Sequence, residues 1–201
     1  MKQERTLSIE GKEYTLLISD EPQALLEAKA SGRAVLGCLD TGNGEGASRD
    51  FQGIPYVVPS MEYVTEELLE LILRRYLGLP WLIDETERLY IREFVKEDAE
   101  NIPEEEYGKE EEIFRDPDKL EVYIKNQYGF YEYGTWAVLK KSPSLLIGMA
   151  GVSNPNLPET ALQALPTLPD DLCWLELGYH IFKPYRKNGY ATEAAKAILS
   201  Y

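Results

Sequence analysis

Short apolar runs alternate with amphipathic segments along the first 80 residues. Three runs rich in leucine and β-branched side chains predict buried strands, and they span residues 14–19, 34–39 and 54–58. A helix is predicted to begin at Pro22, with Asp20 as its capping residue and Gly32 as its stop. Apolar side chains at helical spacing predict a second helix, and they are Leu69, Ile72, Leu73 and Tyr76. The order β-α-β-β-α predicts a small α/β layer domain over residues 1–80.

The pattern breaks between Leu79 and Trp81, where we place a domain boundary to within about ten residues. Four segments with strand-like patterns follow, and they are residues 88–94, 135–140, 145–152 and 172–181. The middle two are joined by a short turn, which predicts a hairpin. One helix is predicted to begin at Asp116, and another is predicted to span residues 191–199. The second domain is therefore expected to be α+β, a mixed sheet with flanking helices.

Two conspicuous segments are interpreted without a binding role. Acidic residues dominate from Glu97 to Glu121, and we interpret that segment as a solvated loop and helix face. A second segment contains Gly42, Gly44 and Gly46 and invites comparison with a phosphate-binding loop. It lacks the Gly-Lys-Ser/Thr ending of nucleotide-triphosphate loops, so we predict a hairpin or crossover connection there.

Composition narrows the class of protein. The 201 residues include 21 Lys and Arg against 35 Asp and Glu, a net charge of −14, and 44% are hydrophobic. The apolar fraction suffices for a folded core, and the acidity argues against nucleic-acid and anionic-membrane partners. Two cysteines and one histidine exclude a disulfide framework, a cysteine-rich zinc site and a multi-histidine metal site. With no signal-like or membrane-spanning run, we expect a cytoplasmic chain.

A strand, a basic turn and a helix follow one another directly near the end of the sequence. The turn contains Arg186, Lys187 and Gly189, and the helix opens at Ala191. Backbone N–H groups at a helix N-terminus lack intrahelical partners, and the helix dipole favours negative charge there. The pattern therefore predicts an anion cradle that suits a diphosphate. On the residues alone, an ordinary basic turn at a strand–helix junction explains the pattern equally well.

The spacing of Ile181, Arg186, Gly189 and Ala191 resembles the acetyl-CoA-binding motif of the GNAT superfamily of N-acetyltransferases. Residues around this motif resemble the branch that acetylates ribosomal-protein N-termini. Upstream segments resemble that branch's first strand, first helix and central hairpin, and they are residues 89–94, 97–99, 136–138 and 147–152. The resemblance covers residues 86–201 and leaves the N-terminal domain without an assigned role.

The resemblance implies acetyl-CoA as co-substrate and no metal. Backbone amides of the turn would bind the pyrophosphate, and the end of the preceding strand would pair with the pantetheine arm. The implied cofactor-binding residues are Tyr179, Ile181, Arg186, Lys187, Asn188, Gly189, Tyr190 and Ala191. Side chains of Lys183 and Arg186 are expected to assist phosphate binding rather than chemistry.

The implied reaction is direct attack of an amine on the thioester carbonyl. An amine with a pKa of about 10 is protonated at neutral pH, so a base or a proton path through water is needed. Glu176 is the leading candidate, because it lies on the strand that would carry the cofactor arm. A solvent-facing position on that strand is its other interpretation. His180 is the alternative base, on the same face of the strand.

The family's fold continues beyond this helix with strands that complete the cleft, whereas this sequence ends at Tyr201. We therefore expect an incomplete acetyltransferase domain. One hypothesis is transfer of acetyl to a primary amine on a peptide N-terminus, a polyamine or a small metabolite, with a cationic acceptor favoured by the acidic surface. The alternative is a noncatalytic CoA-binding or protein-interaction module. In that case the open edge of the last strand would pair two copies.

Overall fold

The computed structural model describes most of the chain. The described residues are 2–40, 50–106, 109–169 and 172–201. They divide into two compact units, Met1–Trp81 and Leu82–Tyr201. The glycine-rich segment with Gly42, Gly44 and Gly46 lies outside the described residues, so its interpretation as a connection stays a prediction.

The first unit is a four-stranded sheet with the order β1-β2-β3-β4. Its strands are β1 (Lys2–Ile9), β2 (Lys12–Ser19), β3 (Ala34–Asp40) and β4 (Val57–Ser60), and its helices are α1 (Pro22–Ala30) and α2 (Glu66–Tyr76). Strand β1 pairs antiparallel with β2, whereas β2, β3 and β4 are parallel. Successive side chains of a strand point to opposite faces. Thus Leu16 and Ile18 join one core cluster with α2, and Leu17 joins another with α1.

Three details of the first unit differ from the sequence-based expectations. Strand β1 was not predicted, because it is mostly polar and exposed and is defined by its pairing with β2. Strand β4 begins at Val57 rather than Ile54, because Ile54 donates its N–H to Phe51 O in a turn and pairing with β3 starts only at Val57. The N-cap of α1 is Glu21 rather than Asp20, and no side chain caps it.

The second unit is a five-stranded antiparallel sheet with the order β5-β6-β7-β8-β9. Its strands are β5 (Leu82–Glu85), β6 (Leu89–Arg92), β7 (Thr135–Lys140), β8 (Leu145–Ser153) and β9 (Glu176–Ile181). Its helices are α3 (Pro117–Tyr123), α4 (Gly129–Tyr131), α5 (Glu159–Leu162) and α6 (Tyr190–Ser200). The predicted hairpin of β7 and β8 is confirmed. The predicted α/β fold class, α+β in the second domain, is confirmed as a mixed fold of two sheets and several helices. The expectation of a mixed sheet in this unit is wrong for the described strands, because each of them pairs antiparallel with its neighbour.

Both faces of the second sheet are covered. On one face, Ala137 and Met149 pack with Phe94, Phe114 and other residues of the segment that precedes β7. Helix α6 packs against β5, β6, β8 and β9. Trp136 precedes Ala137 in β7, so its side chain points to the opposite face of the sheet. Its ring contacts that of Tyr201, with the ring centroids 5.8 Å apart. This packing holds the N-terminus of α6 beside the end of β9.

Strands β5 and β9 also differ from the sequence-based expectations. Strand β5 was not predicted, because its four residues carry no alternating pattern and are defined by pairing with β6. Strand β9 begins at Glu176 rather than Leu172. Glu176 pairs with Ser153, the last residue of β8, so the residues before it have no β8 partner to pair with. In the part of the chain that is described, no helix has the length and apolarity needed to cross a membrane.

Candidate functional site

A cavity of about 400 Å³ lies where the end of β9 meets the start of α6. Its lining residues are Tyr179, His180, Ile181, Tyr185, Arg186, Lys187, Gly189, Tyr190, Ala191 and Thr192. Every residue predicted to bind a cofactor is therefore in this lining, with the exception of Asn188. The volume falls within the range typical of small-molecule sites.

The turn between β9 and α6 contains two left-handed residues directly before the helix. Lys187 has φ of 63° and Gly189 has φ of 82°, so two nearly adjacent residues are left-handed. Gly189 is the N-cap of α6, and the helix begins at Tyr190. The N–H groups of the first turn have no intrahelical acceptors, and successive N–H groups in such a turn converge on one point. These donors and the positive end of the helix dipole fit an anionic diphosphate.

Asn188 supports this turn from within. Its Nδ2 donates to Tyr185 O and to Arg186 O, each at 3.1 Å. The side chain therefore closes the turn and does not line the cavity.

Glu193, in the first turn of α6, fastens the helix to the turn between β5 and β6. Its Oε1 accepts hydrogen bonds from Thr86 Oγ1 at 2.6 Å and from Arg88 N at 3.1 Å, and its Oε2 accepts from Arg88 Nε at 2.7 Å. Arg88 Nη1 also donates to Asn188 O at 3.0 Å. Burial opposes ionisation of Glu193, but the hydrogen bonds from Thr86 and Arg88 outweigh it and lower the pKa of the carboxyl. The sequence offered no signal for this contact.

Glu106 lies behind the turn with only 4% of its side chain exposed. Its carboxylate accepts from Lys183 N at 2.6 Å and Arg186 Nη2 at 2.7 Å, and it lies 3.1 Å from His180 Nε2. Burial by itself would raise the pKa of Glu106. The backbone hydrogen bond from Lys183 and the contacts with His180 and Arg186 lower this pKa by more than burial raises it, so it falls below its ordinary value. The interpretation of the acidic segment as solvated is wrong for this residue, although Glu105 beside it is exposed.

Arg186 is held from two sides. Its Nε donates to Ile181 O at 2.7 Å, and its Nη2 donates to Glu106. The guanidinium therefore links the backbone at the end of β9 to the carboxylate of Glu106. Lys183, predicted to assist phosphate binding, is not in the cavity lining.

The two candidate bases lie at opposite ends of β9. Glu176 is the first residue of the strand, is exposed, and accepts a hydrogen bond from Asn156 N at 3.1 Å. His180 lies four residues further on, about 13 Å along an extended strand, beside Glu106 and Arg186. The structure therefore does not bring them together. His180 lines the cavity and Glu176 does not.

The donors around the cavity include backbone N–H groups, basic side chains and the hydroxyls of tyrosine and threonine. Within the described ranges, no group of three or more His, Cys, Asp or Glu residues is arranged to hold a metal ion.

Comparison with known proteins shows a family and a similar solved structure. A family model described as an acetyltransferase (GNAT) domain matches residues 88–201. No curated protein matches the sequence. The crystal structure of the acetyltransferase from Agrobacterium tumefaciens str. C58 is similar to 58% of this chain at 20% identity, with a TM-score of 0.35. The chain spans 64% of the length of that protein.

Proposed function

The chain belongs to the GNAT acetyltransferase family, and from this premise we propose that it transfers an acetyl group from acetyl-CoA to a primary amine. The observation that carries the proposal is the pair of left-handed residues, Lys187 and Gly189, at the helix N-terminus that opens on the cavity. Backbone donors in this arrangement bind diphosphates. The resemblance to the branch that acetylates ribosomal-protein N-termini stays a prediction.

In the proposed complex, the diphosphate of CoA lies in the turn and the pantetheine arm runs along β9. This strand is the last in the sheet order of the described residues, so the backbone groups on its outer edge face no further strand of that sheet. Those groups would pair with the amides of the arm. Tyr179, of which 61% is exposed, lies on this strand and lines the cavity.

The length of β9 favours Glu176 over His180 as the base. From Ile181 to Glu176 an extended strand covers about 17 Å, and an extended pantetheine arm has a comparable length. An arm that starts at the turn would therefore bring the thioester toward the beginning of the strand. His180 lies near the diphosphate end, among the groups that hold the turn.

In the proposed reaction, the carboxylate of Glu176 takes a proton from the ammonium form of the acceptor, directly or through water. The free amine then attacks the thioester carbonyl carbon. A C–N bond forms and the C–S bond breaks, so that CoA leaves as a thiolate. The nitrogen loses its extra proton as the amide forms, and the thiolate takes up that proton, directly or through water. Correct alignment and general-base assistance each contribute to the rate.

For the acceptor, we propose a cationic amine such as a peptide N-terminus, a polyamine or a small basic metabolite. The net charge of −14 supports this class, because an acidic protein attracts cations and repels anionic acceptors. We further propose a cytoplasmic location, where the thiols of Cys38 and Cys173 would stay reduced.

Calorimetric titration with CoA tests the proposed cofactor, and thiol release from acetyl-CoA in the presence of a panel of amines tests the reaction. Absence of CoA binding at high micromolar concentration would refute the proposal. Glu176→Gln is expected to lower kcat about 100-fold or more while the Kd for CoA is unchanged. Glu13→Gln makes the same charge change at an exposed position of the first unit and serves as the control. An unchanged kcat in Glu176→Gln removes Glu176 from the role of base.

A noncatalytic CoA-binding or interaction module is the second candidate. The exposed position of Glu176 and the open outer edge of β9 favour it. Its expected result is CoA binding without thiol release for any amine in the panel. If two copies pair through β9, sedimentation will show a dimer that CoA dissociates, because both would use the same edge.

A further inference from the structure

We propose that Glu106 is a positioning residue that holds the diphosphate turn in its binding conformation. The inference rests on the proposed binding of CoA. Glu106 comes from a segment about 80 residues before the turn, and none of the residues that line the cavity belongs to that segment.

The contacts of Glu106 fall on both sides of the start of the turn. Lys183 N–H, which donates to Oε1, begins the short 3-10 helix that follows β9. Arg186, which donates to Oε2, ends the same helix as its C-cap residue. One buried carboxylate therefore fixes the first and last residues of the segment that leads to Lys187.

Arg186 also connects the carboxylate of Glu106 to strand β9. Its Nε donates to Ile181 O, so β9, the guanidinium and Glu106 form one continuous chain of hydrogen bonds. The backbone of Lys187, directly after Arg186, is left-handed, a conformation that costs energy for a residue other than glycine. Surrounding contacts have to hold such a residue in place, and the hydrogen bonds of Glu106 with Lys183 and Arg186 lie next to it.

The ion pair between Glu106 and Arg186 gives Arg186 and Lys187 different roles. The charge of Arg186 is partly neutralised by Glu106 at 2.7 Å. Lys187 lines the cavity, and no carboxylate of the described residues forms an ion pair with it. Arg186 therefore acts mainly on the shape of the turn, and Lys187 supplies the positive charge near the diphosphate.

Glu106→Gln tests this inference, because it keeps the size of the side chain but replaces one acceptor oxygen with an NH2 donor. At least one of the donors around it then faces another donor. The readout is the affinity for CoA compared with the affinity for pantetheine, which has the arm but lacks the diphosphate. Calorimetry measures the first, and a ligand-observed NMR titration measures the second.

A positioning role predicts a selective loss. Glu106→Gln is expected to weaken CoA binding about tenfold, equivalent to about 1.4 kcal/mol, and to change pantetheine binding less than twofold. Glu105→Gln, an exposed neighbour with the same charge change, is the matched control and is expected to bind both ligands as the wild type does. The double variant Glu106→Gln/Arg186→Gln is expected to lose no more than the two single losses combined, and less if the pair acts as a unit.

Three results would overturn the inference while leaving CoA binding itself intact. They are an unchanged CoA affinity in Glu106→Gln, an equal loss for CoA and pantetheine, and a fall in kcat at constant KM. If Glu106→Gln does not fold, Glu106→Asp carries the same comparison, because it keeps the charge but shortens the reach by one methylene. A wild-type protein that binds no CoA refutes the proposed function itself.

Discussion

Gly189→Ala offers a direct test of the turn on which the proposed function depends. Gly189 has φ of 82° and is the N-cap of α6. A Cβ at this position would lie 3.5 Å from Arg88 Nη2, an ordinary contact distance. The substitution therefore adds backbone strain without a steric clash.

The strain of a left-handed alanine is about 1–2 kcal/mol. If the turn stays left-handed, the whole strain appears as a loss of stability and CoA affinity is unchanged. If the turn relaxes in the free protein, stability is kept and CoA must restore the left-handed form, which weakens binding about 5- to 30-fold. The loss in unfolding free energy and the loss in binding free energy should therefore sum to about 1–2 kcal/mol.

The two losses are measured by denaturant unfolding and by calorimetric titration with CoA. Gly189→Asn should show a smaller total loss, because asparagine tolerates the left-handed region better than alanine. Gly11→Ala is a matched control, because Gly11 also has positive φ, with no atom within 4 Å of a new Cβ, but lies in the first unit. It should lose stability and keep its CoA affinity.

Two outcomes would refute this reasoning. In one, Gly189→Ala loses neither stability nor CoA affinity, so that the turn does not need its left-handed residue. In the other, Gly11→Ala weakens CoA binding as much as Gly189→Ala does.

Two further predictions concern hydrogen-bonded polar side chains of the second unit. Tyr128→Phe should lower the unfolding free energy by about 2–4 kcal/mol, because the buried hydroxyl donates to Thr135 O at 2.6 Å and accepts from Phe94 N at 3.2 Å. Denaturant unfolding measures this loss. The exposed variant Tyr131→Phe is the control, and a loss in Tyr128→Phe that is no larger than the control's contradicts the prediction. Glu193 has a pKa lowered below its ordinary value of 4.5, so its stabilising contribution is complete above about pH 5 and is lost as the pH falls through the lowered value. Unfolding midpoints between about pH 5 and 3 should therefore fall less steeply in Glu193→Gln than in the wild type, and equal slopes would show that this carboxyl does not contribute.

The sequence predicted the parts of the site that are local in the chain. Strand, turn and helix follow one another from Glu176 to Ser200, and their conformations depend on neighbouring residues. Gly189 permits the left-handed start of α6, and the end of β9 brings Tyr179, His180 and Ile181 to the cavity. The cradle could be predicted because no distant contact is needed to recognise it.

The residues that hold the cradle could not be predicted in the same way. Glu106 meets Arg186 across 80 positions, and Glu193 meets Arg88 across 105. Nothing local distinguishes Glu106 from the exposed Glu105, because both belong to one acidic run. Burial separates them, and burial is a property of the packed unit.

The sequence by itself determined the mixed fold class, most of the helices, the hairpin of β7 and β8, and the turn that opens on the cavity. Local backbone preferences and the period of apolar residues are sufficient for these features. Tertiary structure alone decided the strands β1 and β5, the true start of β9, and which of Glu176 and His180 lines the cavity. It also selected Glu106 and Glu193 from the many acidic residues, because a carboxylate's role depends on which donors the folded chain brings within hydrogen-bonding distance.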